Sequence, residues 1–198
     1  MGKWFSKLYD LVMEPLERLK FRYIRETLIH KAKGNVLEIG SGTGLNFPYY
    51  TQAVKVTAIE PDPTMRKKSL KRAEHAQVPI DVILADAQAL PFPEHTFDTV
   101  VGTLVLCTIP NPEKALNEIR RVCKPGGHVL FFEHVRAEHS LLGRLQDWMT
   151  PVWKRVCNGC HLNRETLETV KKAGFTIVHV EKHNNGILLM IEALNENR

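Results

Sequence analysis

Val36-Leu37-Glu38-Ile39-Gly40-Ser41-Gly42-Thr43-Gly44 decides how the rest of the chain is read. A short apolar run passes directly into three glycines, each separated by one residue. Glycine accepts positive φ and lets a ligand come close to the backbone. A turn of this kind at the carboxyl end of a strand is the ligand crevice of an open α/β sheet. The dinucleotide fingerprint is G-x-G-x-x-G. Here the third glycine comes one residue early, and Pro48 soon follows.

Two carboxylates stand in step with that turn. Glu60 closes the next strand-like run, where an acidic group can accept both hydroxyls of a ribose. A phosphate at that place would be repelled. Asp86, in Ala85-Asp86-Ala87, follows the third run, where a carboxylate can accept the exocyclic amine of adenine. Taken alone, Asp86 would pass for an ordinary surface residue. Its position relative to Gly40 and Glu60 argues otherwise.

Working outward, strand-like and helix-like segments alternate. Strands are expected at Asn35–Ile39, Lys55–Glu60, Ile80–Leu84, Thr96–Val101 and His128–His134. Helices are expected at Thr64–Ala76 and Pro112–Cys123, the second burying Ala115, Leu116, Ile119 and Val122 and stopped by Pro125-Gly126-Gly127. This alternation makes a parallel sheet with helices on both faces. After a helix at Arg164–Ala173, Thr176–Lys182 and Ile187–Leu194 flank His183-Asn184-Asn185-Gly186. An Asn-Gly pair between two strands favours a two-residue type I′ turn. The parallel sheet should therefore end in an antiparallel pair.

Before the first strand, Met1–Lys33 reads as a helical preface, with Pro15 starting a second helix. Trp4, Leu8, Val12, Leu16, Leu19 and Tyr23 form its apolar stripe, accompanied by basic Lys3, Lys7, Arg18, Lys20, Arg22 and Arg25. It can pack on the core, cover the site as a lid, or make peripheral contact with a membrane surface.

The chain has 198 residues, 43% of them hydrophobic and 25% charged, which excludes disordered and fibrous classes. The net charge of +5 comes without a basic arm or a basic stripe interleaved with aromatics, so no nucleic-acid partner is expected. Gly2–Asp10 lacks an apolar signal core, so the expected compartment is a reducing cytoplasm. The expected domain organisation is one unit. Residues 34–134 form its ligand-binding half and residues 135–198 its remaining helices and strand pair. Nothing in the sequence bears on oligomeric state.

The glycine motif, Glu60, Asp86, Phe97-Asp98-Thr99-Val100-Val101 and Pro125-Gly126-Gly127 together resemble a class I S-adenosylmethionine-dependent methyltransferase. The resemblance implies a Rossmann-like α/β fold. Its seven-stranded sheet is mostly parallel with an antiparallel C-terminal strand, and helices cover both faces. It implies S-adenosylmethionine as cofactor and S-adenosylhomocysteine as product. Gly40, Ser41, Gly42, Thr43, Gly44 and Asn46 would then line its methionine part, Glu60 its ribose, and Asp86, Ala87 and Gln88 its adenine. Pro61 and Met65 would pack near the adenine, Thr103 and Leu104 would close the site, and Tyr9-Asp10 would cover it.

Thr103-Leu104-Val105-Leu106-Cys107, Glu133-His134-Val135 and Asn158-Gly159-Cys160-His161-Leu162-Asn163-Arg164-Glu165 are similar, more closely, to the microsomal alkyl-thiol methyltransferases of animals. Those relatives carry a membrane-anchoring leader. Met1–Lys33 reads as a short preface instead, so stable insertion is not expected. The partner implied is a small, lipophilic methyl acceptor, with a thiol first. Quinone carbon and phospholipid amine are the alternatives. A nicotinamide-dependent oxidoreductase is disfavoured by the glycine spacing and the C-terminal hairpin. A non-catalytic membrane-surface protein is disfavoured by the intact ligand motifs.

A thiol acceptor needs alignment more than a strong base, because part of it is already thiolate at neutral pH. His134, at a strand end, can orient or deprotonate the acceptor, or serve only as a structural histidine. Cys107 can line the pocket or be a small buried hydrophobe. Trp148, Met149 and Trp153 can wall an apolar pocket or pack in the core. Cys157-Asn158-Gly159-Cys160-His161 matches the haem-attachment pattern and holds part of a zinc ligand set. Without an export signal it reads as a turn, and no metal is expected.

Overall fold

Strand β1 (Gly34–Ile39) runs parallel to β2 (Ala53–Ile59) on one side and to β4 (Phe97–Thr103) on the other. β2 pairs outward with β3 (Ile80–Ile83), and β4 with β5 (Cys123–His134), also in parallel. Next to β5 lies β7 (Leu188–Asn195), antiparallel, and beyond it β6 (Thr176–His183). The seven-stranded order is β3-β2-β1-β4-β5-β7-β6. Strand order reverses between β1 and β4, and ligands of open α/β sheets bind at the carboxyl ends beside such a reversal. The computed structural model describes residues 21–157 and 159–196. Among these, no helix is long and apolar enough to cross a membrane.

Both faces of the sheet are covered, so its central strands are mostly apolar, with Glu38 in β1 and Glu133 in β5 as buried exceptions. Alternate residues point to opposite faces. Leu37, Ile39, Val129 and Phe131 join one core with Ala115, Leu116, Ile119 and Val122 of α3 (Pro112–Val122). Val36, Leu130 and Phe132 join the other with Ile24, Leu28 and Ile29 of α1 (Arg22–Ile29). Each large side chain buried in these layers contributes roughly 1.5–3 kcal/mol.

The helix starts follow local chemistry. Asp62 caps α2 (Pro63–Ala73) by accepting from the N–H groups of Thr64 and Met65 at 2.7 and 3.0 Å, with Pro63 in the first turn. Asn111 caps α3 in the same way, accepting from Lys114 N at 2.9 Å. Asn195, fully buried at the end of β7, donates to the carbonyls of Arg120 and Cys123 at 2.9 and 2.8 Å. The last strand is thereby tied to the α3–β5 junction.

Several expectations need correction. The helix ends at Val122, and β5 begins at Cys123 rather than His128. Pro125-Gly126-Gly127 lies inside the strand, in a bulge between the pairs Phe97↔Cys123 and Thr99↔His128. The hairpin is not a two-residue turn. His183 pairs with Leu188, and Asn184, Asn185 and Gly186 all take positive φ (49°, 56° and 81°). Ile187 follows them, and its carbonyl accepts from Val135 N at 2.7 Å, which fixes the longer loop to the end of β5.

The helix expected from Arg164 is α5 (Thr166–Lys172), because the Arg164 side chain is drawn inward to the Leu106 carbonyl. Tyr23 is 72% exposed. The buried stripe of α1 runs instead through Ile24, Leu28 and Ile29. Trp4, Leu8, Val12, Leu16, Leu19, Tyr9-Asp10 and the expected helix start at Pro15 lie outside the described residues.

Candidate active site

The carboxyl ends of β1, β2 and β4 open into a cavity of about 960 Å³. The glycine turn forms one wall. Gly40 has φ +62°, and a Cβ there would stand 2.2 Å from Val105 Cγ2. Gly42, at φ +57°, has open space where a Cβ would be, and its N–H donates to Glu60 Oε2 at 2.8 Å. The N–H of Asp62 donates to Glu60 Oε1 at 2.9 Å. Each carboxylate oxygen thus holds one backbone group, leaving lone pairs for a ligand. Burial raises the Glu60 pKa, against these two backbone bonds. Ser41 Oγ is buried with no partner among the described residues, a polar group that lines the cavity.

Thr43, Asn46, Pro61, Met65, Asp86, Ala87, Gln88, Thr103 and Leu104 line the same cavity. Asp86 stands at its exposed lip, accepting from the Gln88 N–H at 2.9 Å. Gly44 does not line it. It shapes the turn at φ +84°, and its Cα faces the Phe47 ring and Ser69 of α2. A second, open hollow of about 800 Å³, beside α1 and lined in part by His30, Lys31 and His128, holds none of the motif residues.

Beneath the cavity runs a buried polar network that sequence reasoning missed. Arg25 of α1, 3% exposed, donates to Asn46 Oδ1 at 2.8 Å and to Thr103 Oγ1 at 2.7 Å. Asn46 Nδ2 donates to Glu38 Oε1 at 2.9 Å, and the Tyr50 hydroxyl to Glu38 Oε2 at 2.7 Å. The available signal was Glu38 itself, a carboxyl inside an otherwise apolar strand, which must find partners when buried.

Burial pushes the Glu38 pKa from 4.5 to about 7, opposed by Tyr50, Asn46 and Arg25. The folded chain therefore favours the protonated carboxyl. That stability is complete below pH 4.5 and is lost as pH rises through about 7. The loss is on the order of 3 kcal/mol. Glu38→Gln should make the fall in melting temperature between pH 5 and 8 shallower than in the wild type, leaving the share that comes from Glu133. Parallel profiles of the two proteins would refute this assignment.

The other end of the cavity is built from the β4 exit, the end of β5 and the segment after α4 (Ser140–Val156). Leu104 sits at φ +53°, a strained conformation for leucine, with its N–H donating to Phe132 O at 2.7 Å. The next two N–H groups, Val105 and Leu106, both donate to Glu133 Oε1 at 2.9 Å. Glu133 is fully buried, and burial pushes its pKa to about 8, so it holds this loop largely protonated at neutral pH.

Cys107, 2% exposed, has its sulfur 3.5 Å from that of Cys160. Hydrogen bonding to Cys160, together with burial, keeps Cys107 a thiol, whereas Cys160 is lowered, first by Cys107. Arg164 stands behind both and acts on their charge. Burial lowers His134 to about 4, so it is neutral at pH 7 and suited to orienting a ligand rather than to taking a thiol proton.

The C-x-x-C-H run makes a backbone turn, as expected. The Cys160 N–H donates to the Cys157 carbonyl at 3.0 Å, but its sulfur meets that of Cys107, and His161 turns its ring to the Cys107 carbonyl, Nδ1 to O 3.3 Å. Of the three residues expected as an apolar wall, Trp153 lines the cavity; Trp148 is 77% exposed and Met149 37%.

Comparison with known proteins agrees with this geometry. Residues 37–131 match the methyltransferase domain family. The chain is similar to thiol S-methyltransferase TMT1B of Rattus norvegicus, 36% identical over 173 residues that cover 85% of this chain and 71% of the relative. It is also similar to the ubiquinone/menaquinone biosynthesis C-methyltransferase UbiE of Pseudomonas fluorescens, 27% identical over 94% of this chain and 82% of that protein. Among solved structures, the S-adenosylmethionine-dependent methyltransferase from Mesorhizobium loti superposes with a TM-score of 0.67 at 15% identity, covering 87% and 96% of the two chains.

Proposed function

Because this chain belongs to the class I S-adenosylmethionine-dependent methyltransferases, of the thiol S-methyltransferase kind, we propose that it methylates the sulfur of a small, lipophilic thiol. When bound, S-adenosylmethionine supplies an electrophilic methyl group on a sulfonium that is already a good leaving group. The rest is the work of this chain's own residues. The backbone at Gly40 and Gly42 makes room for the amino-acid part, with Ser41 Oγ and Asn46 as its polar contacts. Arg25 supplies positive charge for a carboxylate. Glu60 accepts the ribose hydroxyls, and Asp86–Gln88 with Met65 and Pro61 hold the adenine. Gly44 serves the turn.

The single observation that carries the acceptor assignment is the far end of the cavity. Cys107, Ile109, His134, Trp153, Val156 and Leu188 line it, with no ionised carboxylate at neutral pH among them. An apolar wall excludes water and orients a greasy chain, and orientation can supply about 7–11 kcal/mol of the barrier. The outer face of α4 adds support, since Leu141, Trp148, Val152 and Val156 are 64–77% exposed there. We read this face as the approach for an acceptor delivered from a lipid surface.

The test compares thiols by kcat/KM. Values should rise with alkyl chain length, each buried methylene adding about 0.8 kcal/mol, or roughly fourfold. Equal use of a charged, hydrophilic thiol would contradict an apolar acceptor site.

A further inference from the structure

Three segments far apart in sequence bring soft donor atoms to one point. Cys107 leaves β4, His134 ends β5, and Cys160 follows α4. One donor atom from each lies within 4.8 Å of the other two. The two sulfurs are 3.5 Å apart. A tetrahedral ion with zinc–sulfur bonds of about 2.3 Å holds its sulfurs about 3.8 Å apart, so the sulfur pair needs only a few tenths of an ångström of adjustment, with the His134 ring closing on it from within 4.8 Å. His134 Nε2 is buried and has no hydrogen-bond partner among the described residues, a polar atom that a core histidine would ordinarily satisfy. All three residues face the cavity, on the side away from the glycine turn.

We propose that Cys107, His134 and Cys160 form a Cys2His site for a thiophilic divalent ion of the zinc type, with its fourth position open to the cavity. Two thiolates and an imidazole suit this class of ion, and three protein ligands with one open position are the pattern of a catalytic rather than a structural site. On the thiol reading above, the fourth position receives the acceptor sulfur. An entering R–SH gives up its S–H proton to bulk water as the sulfur–metal bond forms, and no electrons are exchanged. Cys107 and Cys160 each lose one proton to solvent when the ion enters. Three thiolates around a doubly charged ion leave one net negative charge. Arg164, whose guanidinium lies 3.2 Å from His161 Nδ1 and acts on the charge of both cysteines, offsets it.

The experiment uses the full chain, reduced with a phosphine and stripped with a chelator, titrated with cobalt(II) alone. The proposal expects one ion per chain, thiolate-to-cobalt charge-transfer bands, intense visible bands of a tetrahedral ion, and full displacement by one equivalent of zinc(II). Cys107→Ser and Cys160→Ser should each weaken binding at least about a hundredfold, with circular dichroism and cofactor affinity unchanged. Cys157→Ser should leave the titration as in the wild type. Absence of the charge-transfer bands overturns the site, as does their survival in both Cys107→Ser and Cys160→Ser or their loss in Cys157→Ser. An alkyl thiol added to the cobalt form should shift the visible bands. No shift, in a protein that still makes thioether, overturns the acceptor-holding role while the thiol reading stands. Cobalt binding with a shift but no thioether keeps the site and refutes the reaction.

Discussion

Glu60→Ala should weaken S-adenosylmethionine binding by at least about a hundredfold, read by calorimetry with the apoenzyme. Two effects add. Each charge-assisted bond to a ribose hydroxyl contributes roughly 1.5–3 kcal/mol. The same carboxylate also holds the Gly42 and Asp62 N–H groups, so its loss releases the glycine turn and the start of α2 together. Glu60→Gln should lose less than Glu60→Ala, because one of its two acceptors remains. An affinity within threefold of the wild type in Glu60→Ala would remove Glu60 from the cofactor site.

Arg25→Met should lower stability by about 3–5 kcal/mol, since two buried hydrogen bonds from a charged donor disappear and their acceptors stay buried. For a chain of this size that is a fall of roughly 6–20 °C in melting temperature. Methionine keeps much of the volume, so packing loss is not the cause. Arg25→Lys should recover only part, because a point charge cannot reach Asn46 and Thr103 with one planar fork. A change within about 2 °C in Arg25→Met would show the network to be dispensable.

The glycine-turn half of the cavity was legible in the sequence because it rests on the backbone. Gly40, Glu60 and Asp86 follow consecutive strands of a parallel sheet, so spacing alone puts them along one edge. Local chemistry placed α3 for the same reason, through Asn111, Pro112 and an apolar stripe. The half of the cavity around Cys107 and His134 was not legible. Cys107 meets Cys160 only because the chain returns after α4, and pairing across 53 residues leaves no local period. Arg25 was counted among the basic residues that accompany the apolar stripe of the preface, since a cation reads as exposed until its partners are known. The hairpin shows the limit at its smallest scale. Asn-Gly marked the turn, but the bond from Val135 N to Ile187 O, a tertiary contact, set its length.

On the proposed reading, this chain moves a methyl group onto a thiol sulfur. The most direct test supplies methyl-deuterated S-adenosylmethionine with an alkyl thiol, and in parallel a quinone precursor and phosphatidylethanolamine, reading products by mass spectrometry. The account predicts a thioether carrying the intact labelled methyl group, formed with one equivalent of S-adenosylhomocysteine, and little product from the other two acceptors. Label appearing on quinone carbon or lipid nitrogen instead, with the thiol unchanged, would contradict it.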